Sequence, residues 1–446
     1  MKYRLKGALV AGAALALMSR GAYAVPSFAR QTGLPCAVCH DVPPQLTQFG
    51  RTFKLDGYVM TTLPQVAQGK DLSINRVPPL SAMIQISATT LTHEKYGTAA
   101  QGTKQNTNVE FPQQLSLFYA GEITPHMGAF MQFTYTNGQG AFNMDNTDIR
   151  YARQNMVGSI PVTWGIDMNN NPTVEDLWNT TPAWAFPWGH SNIADHPDGA
   201  FTPMIDENTA LGTAGIGEYS MWNGAWYEDF SVYRTSQIAG PQVNDTTSAG
   251  SATPGAISGV APYWRLSWNH NFDGSSWEIG TFGMHAGFNG GEYGTGVAGI
   301  DDTYTDYAVD TQFDHHFGND LLTLYGTYIR EDQDLASSAA NPALAGMKQH
   351  QHLNALHLTG TYQFGLHYQV AAAYFNTNGT TNPIYYTGIG AAASDPASAG
   401  FIGRVTYLPW ENTQFTLQYT GYTKFNGTSS NAGKSNSLYL LAWYLW

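Results

Sequence analysis

Sixteen segments of roughly ten residues, each alternating apolar with small polar side chains, follow one another from Leu80 to Trp446. They lie at 80–92, 113–123, 127–137, 145–153, 159–168, 209–222, 225–236, 260–270, 276–288, 303–316, 320–331, 351–362, 366–376, 399–408, 413–423 and 436–446. A period of two over that length is what a tilted strand needs to cross a thin bilayer. Between them, tight turns (124–126, Asn223-Gly224, 271–274, 317–319, 363–365, 409–412) alternate with long polar loops (93–112, 169–208, 237–259, 289–302, 332–350, 377–398, 424–435). Asn223-Gly224 is a two-residue hairpin signal, because both residues tolerate positive φ. A soluble sandwich offers no reason for that alternation of loop lengths. An antiparallel barrel in the bacterial outer membrane does, since its turns are short on the periplasmic side and its loops long outside. The even count agrees, and the expectation is a mainly β protein, a 16-stranded antiparallel transmembrane barrel.

Composition points the same way. Charged residues are only 12 per cent of the chain, about half the share in ordinary soluble domains, and aromatics are 13 per cent. Aromatic girdles at the two membrane interfaces would account for the second figure. Beyond the N-terminus no apolar run is long enough for a transmembrane helix.

Residues 1–24 have the form of an export signal. Lys2, Arg4 and Lys6 precede a short apolar stretch, Gly7 to Met18, and Ala22-Tyr23-Ala24 supplies a cleavage site. Removing them takes four basic residues and no acid, so the formal charge moves from −13 to −17. That balance argues against nucleic acid as a partner and against charge-driven binding to anionic lipid.

Two cysteines, and only two, occur: Cys36-Ala37-Val38-Cys39-His40. C-x-x-C-H is the attachment signature of c-type haem, in which each thiol adds to a porphyrin vinyl group and the histidine becomes the proximal iron ligand. A zinc site would need a second ligand pair, and a thioredoxin-like pair would need a βαβ setting. Neither is visible, so the expected cofactor is one c-type haem, held by Cys36 and Cys39 with His40 on the iron. Residues 25–79 would form this small domain and its connector, ahead of a barrel at 80–446. Leu46, Phe49 and Phe53 recur at helical spacing after Pro43-Pro44, and Gly57 is placed to end that helix. So short a domain depends on the haem for much of its core. A methionine as sixth ligand would raise the reduction potential. Met60 is nearest in sequence, with Met83, Met127 and Met131 as further methionines and His126, His190 and His196 as alternatives. Arg30, Arg51 and Lys54 are candidates either for neutralising haem propionates or for contacts with the barrel wall.

Elsewhere, His315-His316 and the set His350, His352 and His357 suit ordinary lumen or rim positions better than a metal site with no fixed third ligand. Asp301-Asp302 and Asp206-Glu207 offer hard oxygen atoms in outer loops, though carboxylates there are usually just solvated. Loop 169–208, rich in tryptophan and proline, is too long for a plain linker and is expected to fold inward or to cap the barrel mouth. No phosphate-binding loop, nucleophile elbow or H-E-x-x-H helix occurs.

The stretch Pro26-Ser27-Phe28-Ala29-Arg30-Gln31-Thr32-Gly33, with Cys36–His40, Leu46-Thr47-Gln48-Phe49-Gly50-Arg51 and Phe53-Lys54-Leu55, resembles the fused monohaem cytochrome–porins, outer-membrane iron oxidases of iron-oxidising bacteria. The resemblance is close over the N-terminal part. In the barrel it rests on length, pattern and weaker echoes at Gly121–Pro125 and Asn170–Thr173. It implies a cytochrome within or beneath a sixteen-stranded barrel. It also implies an Fe(II)-oxidising oxidoreductase that takes electrons from extracellular Fe(II) and passes them to a periplasmic cytochrome c or copper carrier. Two alternatives stay open, a conduit for another donor or acceptor and a porin with a structural or sensory haem plug.

Overall fold

The computed structural model describes residues 26–40, 45–60, 63, 65–69, 72–93, 106–136, 142–178, 188–194, 201–208, 213–236, 257–291, 296–388 and 395–446. The export signal, the Pro43-Pro44 break and His196 lie outside them. Sixteen strands close into one antiparallel barrel, each pairing with its neighbours in sequence and the last with the first. They are β3 (Leu80–Leu91), β4 (Thr107–Thr124), β5 (Met127–Thr136), β6 (Phe142–Val157), β7 (Ile160–Asn169), β8 (Thr213–Trp222), β9 (Trp226–Thr235) and β10 (Ala261–Phe272). The circuit continues through β11 (Ser275–Asn289), β12 (Asp301–Phe317), β13 (Asp320–Asp334), β14 (His350–Phe364), β15 (Tyr368–Gly379), β16 (Ser398–Trp410), β17 (Thr413–Lys424) and β18 (Ser437–Leu445). Each corresponds to one of the alternating segments.

Burial in the wall is inverted relative to a soluble protein. On β12 the outward Tyr307 and Val309 are exposed, whereas the inward Asp306 and Asp310 are buried. Ile166, Phe230, Leu266, Val405 and Leu440 repeat the exposed apolar pattern around the barrel. A side-chain period of two places lipid contacts on one face of every strand and polar groups on the other. Near the short turns the outward side chains become aromatic: Trp226, Phe272, Phe317, Phe364, Tyr368, Trp410 and Trp446 are all exposed there. This is the wall of an outer-membrane barrel, and no helix among the described residues is long and apolar enough to cross a membrane. The Asn223-Gly224 turn has positive φ at both residues, 53° and 64°, as the primed hairpin geometry demands.

Strand β4 runs further toward the long-loop rim than its apolar pattern suggests, and β6 is longer at both ends. Pro112 falls inside β4, and a register shift between Gln85 and Ser87 of β3 faces it. Proline lacks a ladder donor, and such an irregularity is where a sheet can admit one.

The N-terminal segment forms three short helices, α1 (Pro26–Thr32), α2 (Cys36–Cys39) and α3 (Gln48–Leu55). Thr47 caps α3 by accepting from the Gly50 N–H at 3.1 Å. At the other end Gly57 N–H donates to Lys54 and Tyr58 N–H to Phe53, with Gly57 at φ +70°. These two bonds are a Schellman cap, so Gly57 stops the helix as its position suggested. Phe49 and Phe53 fall within α3, whereas Leu46 precedes it and bridges to His40. A small hairpin, β1 (Gln65–Gln68) with β2 (Ser73–Asn75), then leads to β3.

Candidate functional site

The helices of the N-terminal segment lie against inward-facing side chains of the barrel. Gln31 donates to the Ala120 carbonyl at 2.8 Å. Tyr58 Oη donates to Asp148 Oδ2 at 2.6 Å, and Tyr219 Oη donates to the Leu55 carbonyl at 2.8 Å. The Cys36 amide donates to Glu411 Oε2 at 2.9 Å, in the short β16–β17 turn. On the following hairpin, Ser73, Gln65 and Gln68 donate to the buried Glu122 carboxylate. Glycines permit this closeness: a Cβ on Gly128 of β5 would strike the Gly57 carbonyl, and one on Gly121 would come 2.6 Å from Pro79 Cβ. The N-terminal segment is thus held against the barrel wall, with Cys36 at the rim where the short turns lie.

Loop 169–208 folds inward where it is described. Helix α4 (Pro172–Glu175) leads to Asp176 and Trp178, both buried, and Trp178 packs with Leu55, Tyr219 and Tyr227. The fully buried Arg265 of β10 holds Asp176 Oδ1 at 2.9 Å, Glu278 Oε1 at 3.0 Å and Asp310 Oδ1 at 2.8 Å. Its guanidinium also lies 5.3 Å from the Trp178 ring. Further along the loop, Gly189 pairs with Gln418, and Asp206 meets His357 Nε2 at 2.9 Å.

Between the N-terminal helices and the wall is a cavity of about 350 Å³, within the roughly 300–1,000 Å³ of small-molecule and cofactor sites. Cys36, Cys39 and His40 line it together. The remaining lining is largely apolar: Phe28, Leu34, Phe49 and Phe53 from the N-terminal segment, Phe118 and Phe130 from β4 and β5. Gln132 Oε1, also at the cavity, is buried without a hydrogen-bond partner. Two thiols, an imidazole and surrounding aromatic rings are the donor set and lining that a covalent porphyrin requires.

Gly50 brings α3 onto the cysteine helix, where an added Cβ would collide with the Cys39 carbonyl oxygen. Neither backbone can yield cheaply, so Gly50→Ala is expected to cost about 1–3 kcal/mol in local packing. Limited proteolysis will detect it as cutting within 45–60, with the barrel's heat-modifiable gel mobility unchanged. Burial also pushes the Cys39 thiol up to about 11, which keeps it protonated at neutral pH and unlike a redox-active thiolate. In Cys36→Ala protein refolded without haem, so that Cys39 carries no thioether, iodoacetamide labelling of Cys39 is expected to quicken about tenfold per pH unit from about pH 7 to about pH 10. A rate that levels off near neutrality would contradict this.

The other sequence candidates separate. Met60 does not line the cavity, whereas Met83 does. Met131 alternates with the inward Phe130 and Gln132 and so points away from the lumen. His126 and His190 are not in the lining either. The three basic residues make wall and loop contacts: Arg30 reaches the Leu80 carbonyl, and Arg51 reaches Ser276 Oγ at 3.0 Å and Asp314 at 3.9 Å. Lys54 donates to the carbonyls of Val174 and Asp176. His315 pairs with Ser275, His350 lies 3.6 Å from Asp334, and His352 meets Thr380 at 3.1 Å. Asp302 accepts from Ser338. Among the described residues no three His, Cys, Asp or Glu side chains form a metal-holding group. Sequence reasoning missed Glu411 and Arg265, since the partners of both lie far away along the chain.

No protein-family model matches the chain, and no curated protein matches it. Among solved structures it is similar to OmpT of Vibrio cholerae, at 11% identity over 86% of this chain and 100% of that one, with a TM-score of 0.42. It is similar to OmpF of Salmonella typhi, in a complex with daunomycin, at 12% identity over 84% of this chain and 98% of that one, TM-score 0.46. The outer-membrane channel DcaP of Acinetobacter baumannii gives 12% identity, 82% and 96% coverage and a TM-score of 0.46.

Proposed function

We propose that this chain is an outer-membrane electron-transfer protein that takes electrons from extracellular Fe(II) and passes them to a periplasmic cytochrome c or copper protein. One c-type haem, held by Cys36, Cys39 and His40, would supply the one-electron chemistry. The observation that carries the reading is the shared cavity: both cysteines and the histidine of the C-x-x-C-H motif line a space whose other wall is the barrel itself. Iron as the donor rests on the resemblance of the N-terminal segment to the cytochrome–porins.

The chain's own residues have definable tasks in this reading. Aromatic rings exclude water from the cavity and so favour the uncharged state of an iron site. Hydrogen bonds from Gln31, Tyr58 and the Cys36 amide hold the segment against the wall. Electron tunnelling falls steeply with distance, and the apolar band of such a barrel is about 25 Å tall. A redox centre inside the lumen is therefore better placed than one in the periplasm to serve both faces. Anaerobic mixing of purified protein with Fe(II) tests this, with growth of the haem α-band expected. Absence of reduction at both acidic and neutral pH excludes iron as donor.

A second reading has its own support in the porin-like closed barrel with a polar inner wall. In it the protein is a channel and the N-terminal segment a structural or sensory plug. Steady ion conductance in planar bilayers would favour it over electron transfer.

A further inference from the structure

Of the residues lining the cavity, His40 is the one histidine and Met83 the one methionine. Met83 belongs to the barrel, not to the N-terminal segment, and is only 3% exposed. Its neighbours across β4 and β18 are the buried Ser116 and the cavity-lining Leu445, which fixes it on the inner face of β3. Gln85 Nε2 lies 4.0 Å from the thioether sulfur, a weak contact that leaves it available to a soft metal. Two other polar side chains of the lining are already engaged. The Lys54 ammonium donates to the Asp176 carbonyl at 3.0 Å, and Tyr58 Oη donates to Asp148 at 2.6 Å.

We propose that Met83 is the sixth ligand of the haem iron, so that the barrel wall completes the coordination begun by His40. This deepens the proposed function and rests on its covalent haem. Ligation is then divided between two parts of the chain, and the site is complete only when the barrel has closed around the N-terminal segment. Thioether ligation raises the reduction potential, which suits an acceptor of electrons from Fe(II). A buried methionine more often simply fills space, and Met83→Leu separates the two roles because it keeps the volume and removes the sulfur.

The test is spectroscopy of the full-length protein in detergent. Wild type and Met60→Leu are expected to show the red charge-transfer band of ferric methionine-ligated haem. Met83→Leu is expected to lose that band, keep its covalent haem, and gain CO binding in the ferrous state. Met83→His is expected to remain low-spin without the methionine band and with a lower midpoint potential, and it decides the matter if Met83→Leu does not fold. Persistence of the band in either Met83 variant, or its absence from wild type, overturns the assignment. A wild-type protein with no covalent haem at all overturns the proposed function instead.

Discussion

Replacing Cys36 and Cys39 together by serine is expected to abolish the haem-stained band of the outer-membrane fraction on a denaturing gel. The barrel itself should still fold and insert. The expectation follows from the division of the chain: strands β3 to β18 close with one another, and β18 pairs directly with β3. The cysteine helix contributes only its contacts at one rim, such as the Cys36 amide with Glu411. Single substitutions should leave one thioether and a weaker stain, because each thiol forms its own bond to the porphyrin. His40→Ala should retain covalent attachment while altering the iron spectrum. A stained band surviving the double substitution would show that these cysteines do not carry haem.

Arg265→Met is expected to be the most damaging substitution in the barrel. It leaves Asp176, Glu278 and Asp310 facing one another with no cation, all but excluded from solvent. Removing one partner of a buried ionic cluster costs about 3–5 kcal/mol. The first consequence should be release of Asp176 and the inward loop it anchors, exposing 170–178 to protease. The second should be a lower temperature for the heat-modifiable shift of the barrel on a gel. Arg265→Lys should recover only part of the loss, since a single ammonium cannot match the planar fork that reaches three carboxylates.

Strand number and strand placement were legible in the sequence because lipid on one face and a polar lumen on the other enforce a period of two. The signal weakens where that constraint stops. Residues 107–112 continue β4, but Pro112 interrupts the pattern, and only the register of β3 shows how it is accommodated. Hairpin β1–β2 escaped notice because four- and three-residue strands carry too little periodicity. The inward fold of loop 169–208 depends on Arg265 and Glu331, far along the chain, which hold Asp176 and the Met204 amide. Likewise Met60 is near Cys39-His40 in sequence, yet closure of the barrel brings Met83 to the cavity. Cys36, Cys39 and His40 meet at one cavity because their motif is contiguous. Arg51 and Lys54 were not assignable, since their partners Asp314 and Asp176 come from the wall and the loop.

Sealed vesicles carrying the protein in one orientation, long loops outward, with soluble cytochrome c trapped inside and Fe(II) added anaerobically outside, test the central claim most directly. Reduction of the trapped cytochrome, dependent on the intact Cys36–His40 motif and without leakage of iron, is the predicted result. An oxidised interior beside a fully reduced haem, or interior reduction that persists in the double-serine variant, would contradict it.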